Sequence, residues 1–599
     1  MKEMTRTACG TRRAMGAGAL LAIVLACPVA SHATGCTLTT VELPVHIVGQ
    51  RAIATVGING QNVPMLVDSG AWYSSLSDAA AARLHLHPRY VPDFAMFGIN
   101  GSTSARIAGA DLSLLKGSIP NAQFIVGGNE LDSGAMGLLG RNVLSFTDTE
   151  YDLAHGVIRF VFPSSECAKA NMAYWAGSTP VSEIELRSTD PTAVPPIVAT
   201  ARIDGTPVDV LFDTGATTMV SLAAAKRAGV KAEAMKPARQ FHGVGRGSAD
   251  SWTTPIARFE IGGEAILNNT LWVGDFEIHD ADMLLGIDFF LSHRIYVSKQ
   301  QSRMFFTYAG GPVFAQNVQA RAGDAASGSA TGHADEALDA DGYARRGEAS
   351  RARGDLRGAL ADLDRACALE PRNARFFEAR AAVHYALKDW DKVGEDDDAA
   401  LRLDPGLVQA RLGRAYLREF KNDREGALAD LDVLDKQLAP QDAARRQMAI
   451  AYGELHEPAR AIAQLDQWIA SHRHDIGLAS AYNSRCWSRV QLGTDLDKAL
   501  SDCDDAVDKD PKIAIYVDSR AWVYLRMGQW QKALADFDRG LALRPDGTSS
   551  LYGRGIVRLH LGNQAAGEAD LAAARKLKPA IDAEMKREGL SQEQLAPRP

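Results

Sequence analysis

Val210-Leu211-Phe212-Asp213-Thr214-Gly215-Ala216-Thr217-Thr218 decides the fold of this 599-residue chain. Three apolar residues run into an acid, a hydroxyl and a glycine. A buried strand that ends at a functional turn has this form, and Gly215 lets the backbone bend sharply behind the carboxylate. One such turn arises by chance. A second occurs at Met65-Leu66-Val67-Asp68-Ser69-Gly70-Ala71, offset by 145 residues.

The surroundings repeat with the motif. Ile58-Asn59-Gly60 returns as Ile203-Asp204-Gly205 at the same offset of 145, and Leu138-Leu139-Gly140 returns as Leu284-Leu285-Gly286 at 146. Asn-Gly and Asp-Gly favour tight hairpin turns, so each acid is expected on the second strand of a hairpin. Gly98-Ile99 returns as Gly243-Val244. The chain therefore contains an internal duplication with one acid in each half.

The ordered set of hairpin, Asp-Thr/Ser-Gly-Ala, glycine-bearing second hairpin and apolar-apolar-Gly resembles a lobe of the retropepsin-type aspartic proteases. Two lobes in one chain resemble the pepsin arrangement. The resemblance spans roughly residues 37–310 and implies an all-β, two-lobed fold, with lobe one at 37–165 and lobe two at 178–310. It implies that Asp68 and Asp213 form one catalytic pair within one chain, supported by Ser69, Gly70 and Ala71 and by Thr214, Gly215, Ala216 and Thr217. It also implies flaps over a peptide substrate at Gly98-Ile99-Asn100-Gly101 and Gly243-Val244-Gly245. The last of these lacks a phosphate-loop lysine and the strand-to-helix setting of a dinucleotide site. Lobe one departs from the pattern at Trp72, which at the 145 offset stands opposite Thr217, where a small polar residue is usual. The family's lobe ends meet, which would let Cys36 and Cys167 pair; two unrelated thiols are the alternative.

The first residues carry Lys2, Arg6, Arg12 and Arg13, then an apolar run to Ala30 and a small-x-small site at Ser31-His32-Ala33. This reads as a signal peptide over 1–33 and predicts export, to a periplasm or to the outside. The alternatives are a membrane anchor through an uncleaved signal or a lipidated cysteine. No later stretch is apolar and long enough to cross a membrane. The net charge of −8 gives no basic excess for nucleic acid. No cofactor motif or metal-ligand spacing stands out, and Cys503 reads as a buried thiol at a helical core position.

Residues 311–338 are rich in Ala, Gly and Ser without periodicity, which predicts a flexible linker that tethers the two halves. From 339 to 590 the chain repeats about every 34 residues. Small residues mark the same slots, as at Ala359, Ala427, Ala461, Ala499 and Ala533, and prolines such as Pro371, Pro405, Pro511 and Pro545 end the units. The period and slots resemble seven tetratricopeptide repeats, an all-α solenoid whose groove binds peptide or protein partners. Asp397 stands where other repeats place an apolar core residue. The whole therefore reads as an exported aspartic endopeptidase joined to a partner-recruiting solenoid. The alternative is an inactive scaffold that only binds peptides.

Overall fold

The computed structural model describes residues 29–30, 36–98, 101–114, 117–127, 134–187, 196–238, 250–278, 281–314, 338–473, 475 and 477–595. Among the described residues, those up to 310 are mainly strand and those beyond 338 are mainly helical. The signal-peptide expectation falls on residues outside this description, apart from Val29–Ala30, which pair with Leu38 and Thr37.

Each lobe is built on the hairpin its turn dipeptide predicts. Arg51–Ile58 pairs with Gln61–Val67, and Val198–Ile203 pairs with Thr206–Phe212. Asn59-Gly60 and Asp204-Gly205 all take positive φ, from 48° to 85°, the backbone that a two-residue turn between twisted strands requires. The second strand of each hairpin lies parallel to a short buried strand, Gly137–Leu139 in lobe one and Met283–Leu285 in lobe two. Each acid follows directly where this central strand ends.

A shared sheet joins the lobes. Asp148–Asp152 of lobe one pairs antiparallel with His293–Ser298 of lobe two, with Glu150 opposite Tyr296. Thr37–Val48 and Val157–Pro163 extend the sheet on one side, and Arg303–Tyr308 and Ser182–Glu185 on the other. Glu150 is fully buried there and holds Arg159 at 2.6 Å and Arg294 at 2.7 Å. Cys36 and Cys167 are disulfide-bonded, which closes the ends of lobe one.

Among the described residues, the helical half shows seven antiparallel helix pairs, from Ala340–Ala352 with Leu356–Leu369 to Thr548–His560 with Gln564–Leu577, followed by Ile581–Arg587. Small residues sit where paired helices cross. A Cβ added at Gly555 would lie 2.8 Å from Leu571 and 3.0 Å from the Gly567 carbonyl, so only glycine permits that approach. An arginine-aspartate ladder runs between units. Arg380 bridges Asp396 of its own repeat and Asp364 of the preceding one, and Arg414, Arg485, Arg520 and Arg554 do likewise. Repeat four breaks the ladder: Gln464 replaces the aspartate, and Arg445 donates to it.

Two expectations are corrected. Cys503 is not a free thiol; it is bonded to Cys486 across the helix pair of repeat five. The solenoid is not merely tethered. Helix Ala340–Ala352 packs on strand Thr37–Val48, and its Ala349 and Ala352 share a buried cluster with Val45, Ile47 and Leu153. Glu348 reaches His46 Nδ1 at 2.9 Å. The turn at Gly156 is part of this seat, because a Cβ there would lie 2.4 Å from Arg345 Cβ. The start of the expected linker is also ordered against lobe two. Phe314 packs edge-on against Phe259, and the Val313 carbonyl accepts from Asn269. Residues 315–337 lie outside the described residues. The composition of 311–338 showed few packing groups, yet the apolar face of the following helix had a partner in the first strand of lobe one.

Candidate active site

The two acid turns meet between the lobes. A Cβ placed on Gly70 would come within 2.4 Å of the Asp213 carboxyl carbon, and one on Gly215 within 2.6 Å of that of Asp68. Each glycine thus makes room for the opposite acid, a requirement of space rather than of φ. The two carboxyl groups face each other closely enough to influence each other's ionisation.

The hydroxyls beside the acids lock the turns together. Ser69 N–H donates to Thr214 Oγ1 at 3.0 Å, and Thr214 N–H donates to Ser69 Oγ at 3.0 Å. The Ser69 hydroxyl donates across to the Phe212 carbonyl, and the Thr214 hydroxyl to the Val67 carbonyl. Both side chains are buried. All four bonds cross the lobe boundary, so they fix the acids relative to each other.

Backbone donors face each carboxylate. Ala71 N–H donates to Asp68 Oδ1 at 2.7 Å, and Gly215 N–H to Asp213 Oδ1 at 2.8 Å. Burial raises the pKa of Asp68, while the Ala71 and Gly70 amides and the Arg141 charge act in the opposite sense. Asp213 is raised well above the ordinary carboxylate value by burial and then by the charge of Asp68. The pair therefore retains one proton where isolated carboxylates would both ionise, with Asp213 the preferred holder.

A supporting layer was not singled out from the sequence. Ser74 donates its N–H and hydroxyl to Asn142 Oδ1, and Gly140 N–H donates to Ser74 Oγ. In lobe two, Thr218 donates both groups to Asp288 Oδ1, and Gly286 N–H donates to Thr218 Oγ1. Gly140 and Gly286 lie directly under the acid turns: a Cβ on Gly286 would be 2.4 Å from the Ala216 carbonyl oxygen. The available signal was Asn142 and Asp288, each two residues after the repeated glycine.

The structure changes the alignment of the two turns. Ser74 corresponds to Thr218 at an offset of 144, so lobe one carries one extra residue after Ala71. Thr217, expected to support the turn, is exposed, and Thr218 makes the bonds. Trp72 consequently removes no support from Asp68. Trp72 and Tyr73 project to solvent, 50% and 37% exposed, with rings edge to face at 5.7 Å. Ala71 and Ala216 accept at their carbonyls from Arg141 N–H and Ile287 N–H, which anchors both turns to the helices behind them.

The first flap expectation falls partly on described residues. Arg89–Gly98 and Gly101–Leu114 form a hairpin closed by the Gly98–Gly101 pair. Ile99, Asn100, Gly243, Val244 and Gly245 lie outside the described residues. Among the described residues, no group of three or more His, Cys, Asp or Glu could hold a metal ion, and no helix is long and apolar enough to cross a membrane.

Comparison with known families agrees with this geometry. The aspartyl protease profile matches residues 199–289, and the gag-polyprotein aspartyl protease profile matches residues 54–145. Each lobe carries an aspartyl protease domain. The two protease domains contribute one acid apiece and precede the solenoid of helix pairs. No curated protein matches the chain. Among solved structures, a tetratricopeptide repeat protein from Parabacteroides merdae aligns at 17% identity and TM-score 0.33, over 42% of this chain and 98% of that one. YrrB, described as a TPR protein with an unusual peptide-binding site, aligns at 19% identity and TM-score 0.28, over 32% and 97%. The aspartic proteinase of Irpex lacteus aligns at 13% identity and TM-score 0.29, over 45% and 97%.

Proposed function

We propose that this chain is an exported aspartic endopeptidase whose repeats recruit protein partners or substrates. The observation that carries the reading is the mutual seating of Asp68 and Asp213, each against the other's glycine. Two acids so placed share one proton. Asp68, ionised, takes a proton from a water held between the pair. Asp213, protonated, donates to the scissile carbonyl oxygen as the water attacks. The tetrahedral gem-diol then collapses: the C–N bond breaks as the leaving nitrogen accepts the proton now on Asp68, a gem-diol hydroxyl returns its proton to Asp213, and no covalent enzyme intermediate forms. The substrate is an extended peptide in the interlobe cleft.

Export is supported by two disulfides among the described residues, one in each half of the molecule, because such bonds persist in oxidising compartments. Recruitment is supported by the docking of the first solenoid helix on lobe one, which joins the repeats to the protease domains. The deciding experiment compares wild type with Asp213→Asn on a denatured protein substrate. Cleavage by wild type alone supports the endopeptidase. Equal cleavage, or none by either protein, leaves the lobes as a peptide-binding scaffold.

A further inference from the structure

Repeats in a solenoid ordinarily touch only their neighbours. The segment 581–595 behaves differently, since it touches four repeats at once. Glu588 meets His456 Nδ1 at 3.1 Å in repeat four and accepts from Gln491 Nε2 in repeat five. The Gly589 carbonyl accepts from Arg526 in repeat six at 2.8 Å. In repeat seven, the Tyr552 hydroxyl meets the Asp582 carboxylate and the Gln592 backbone N–H.

His456, Gln491 and Arg526 occupy one structural level, at or just past the end of the first helix of their repeats. They form a polar rim along the superhelix. Below the rim, Ile581, Met585 and Leu590 are buried in one cluster with Trp522, Tyr552 and Ile556. A cap for repeat seven alone would need only the apolar residues of the short helix. Here the chain continues past that helix and turns at Gly589, where φ is +70°, which brings its carbonyl to Arg526. The rim thus reads a carboxylate and a carbonyl, and the cluster beneath reads apolar side chains at i, i+4 and i+9. That is the pattern of an amphipathic helix laid in a groove, with an acid one turn beyond its central anchor.

We infer that the rim of repeats four to seven is a peptide-binding site, and that segment 581–595 is its resident intramolecular occupant. The partner is an amphipathic helical segment of another protein with the same chemistry: apolar residues at i and i+4 and a carboxylate at i+7. Such a partner binds by displacing the resident segment. Tethering gives the resident a high effective concentration, so the site exchanges only for a matching sequence or after the segment is loosened. The inference rests on the recruitment reading of the repeats and specifies where and what they recruit.

The test uses the full chain and a labelled synthetic peptide of sequence 579–595 as probe. The paired change Met585→Asp with Glu588→Lys unseats the resident segment. This variant is expected to bind the probe at least about tenfold more tightly than wild type, because the competing occupant is gone. Adding Gln491→Leu and His456→Ala to it is expected to weaken binding about tenfold, the scale of a lost charge-assisted hydrogen bond. Equal binding by wild type and the unseated variant overturns the inference. Should the variant fail to fold, amide exchange on wild type decides. Amides of 581–595 exchanging well before those of 514–526 support a displaceable occupant, and exchange of both stretches only together makes the segment a fixed cap. A wild-type dimer that exchanges these segments between copies also overturns it, since the occupant is then a second copy. Binding is read without hydrolysis, so failure here leaves the endopeptidase untouched. Capture of a protein through other repeats would separately sustain recruitment.

Discussion

Ser69 and Thr214 exchange backbone-to-hydroxyl hydrogen bonds in both directions, each at 3.0 Å, across the boundary between the lobes. Replacing Thr214 by Val leaves the Ser69 N–H buried without its acceptor, at a cost of about 1–3 kcal/mol. Ser69→Ala strands the Thr214 N–H in the same way. Because both changes act on one network, the double variant is expected to lose less than the sum of the two. Urea unfolding of the four proteins measures this, and strict additivity would show that the turns are held independently.

Asp68→Asn and Asp213→Asn are each expected to abolish peptide hydrolysis, with the double variant no worse, because the two acids form one unit. The pH profile follows from their direction of shift. Both pKa values lie above the ordinary 3.8, Asp213 further than Asp68. Activity requires one proton on the pair. It is expected to fall at low pH as Asp68 protonates and at high pH as Asp213 loses its proton. The upper limb should therefore lie well above the range of an ordinary carboxylate. A profile of kcat/KM against pH checks this, and activity that stays flat through the alkaline range would remove Asp213 as the acid.

Removal of residues 339–599 is expected to destabilise the remaining lobes. The cut uncovers the surface of Val45, Ile47 and Leu153 that packs with Ala349 and Ala352. Each ~1 kcal/mol lost would lower the melting midpoint by about 2–4 °C for a domain of this size. Part of the contact is pH-sensitive. Burial lowers the His46 pKa, but the hydrogen bond and charge of Glu348 outweigh this and raise it. The pairing therefore contributes fully below the ordinary histidine value of 6.5 and is lost as pH rises through the raised one. Melting curves of the full chain and of Glu348→Gln at two pH values test it. An unchanged midpoint in the truncated protein would restore a simple tether.

Asp397 is 3% exposed in a core position of repeat two, and burial first, then Glu378 and Asp396, push its pKa up to about 8. A carboxyl raised in the fold favours the folded state fully below its unfolded value near 3.8, and that contribution is lost progressively as pH rises to about 8. Asp397→Asn is expected to flatten this dependence and to raise stability at pH 7–8. Thermal melts across pH 4–9 read it directly, and parallel curves for wild type and variant would place the ionisation elsewhere.

The architecture was legible because it is written twice. A duplicated hairpin-acid-glycine pattern and a seven-fold helical period survive substitution, since each follows from backbone geometry and burial. What escaped the sequence depends on distance in space. The extra residue beside Trp72 was hidden because the flanking matches sit at offsets of 145 and 146, and only the Ser74–Asn142 and Thr218–Asp288 bonds reveal 144. The Cys486–Cys503 bond has a separation of 17, close to the 16 that sets Arg346 opposite Asp362 across a helix pair. That spacing was a usable signal. The seat of the solenoid on Val45 had none, because an alanine-rich helix face does not name its partner.

That additional residue gives the cleft a direction. A site with true two-fold symmetry presents the same wall to either end of an extended chain and accepts it in both senses. Here one side of the acid pair carries the projecting rings of Trp72 and Tyr73, and the other carries the hydroxyl of Thr217. On the proposed peptidase reading, an extended chain crossing the pair would meet an aromatic shelf at one end and a small polar edge at the other. The repeat pairs the two acids, and the one extra residue in lobe one makes their surroundings unequal.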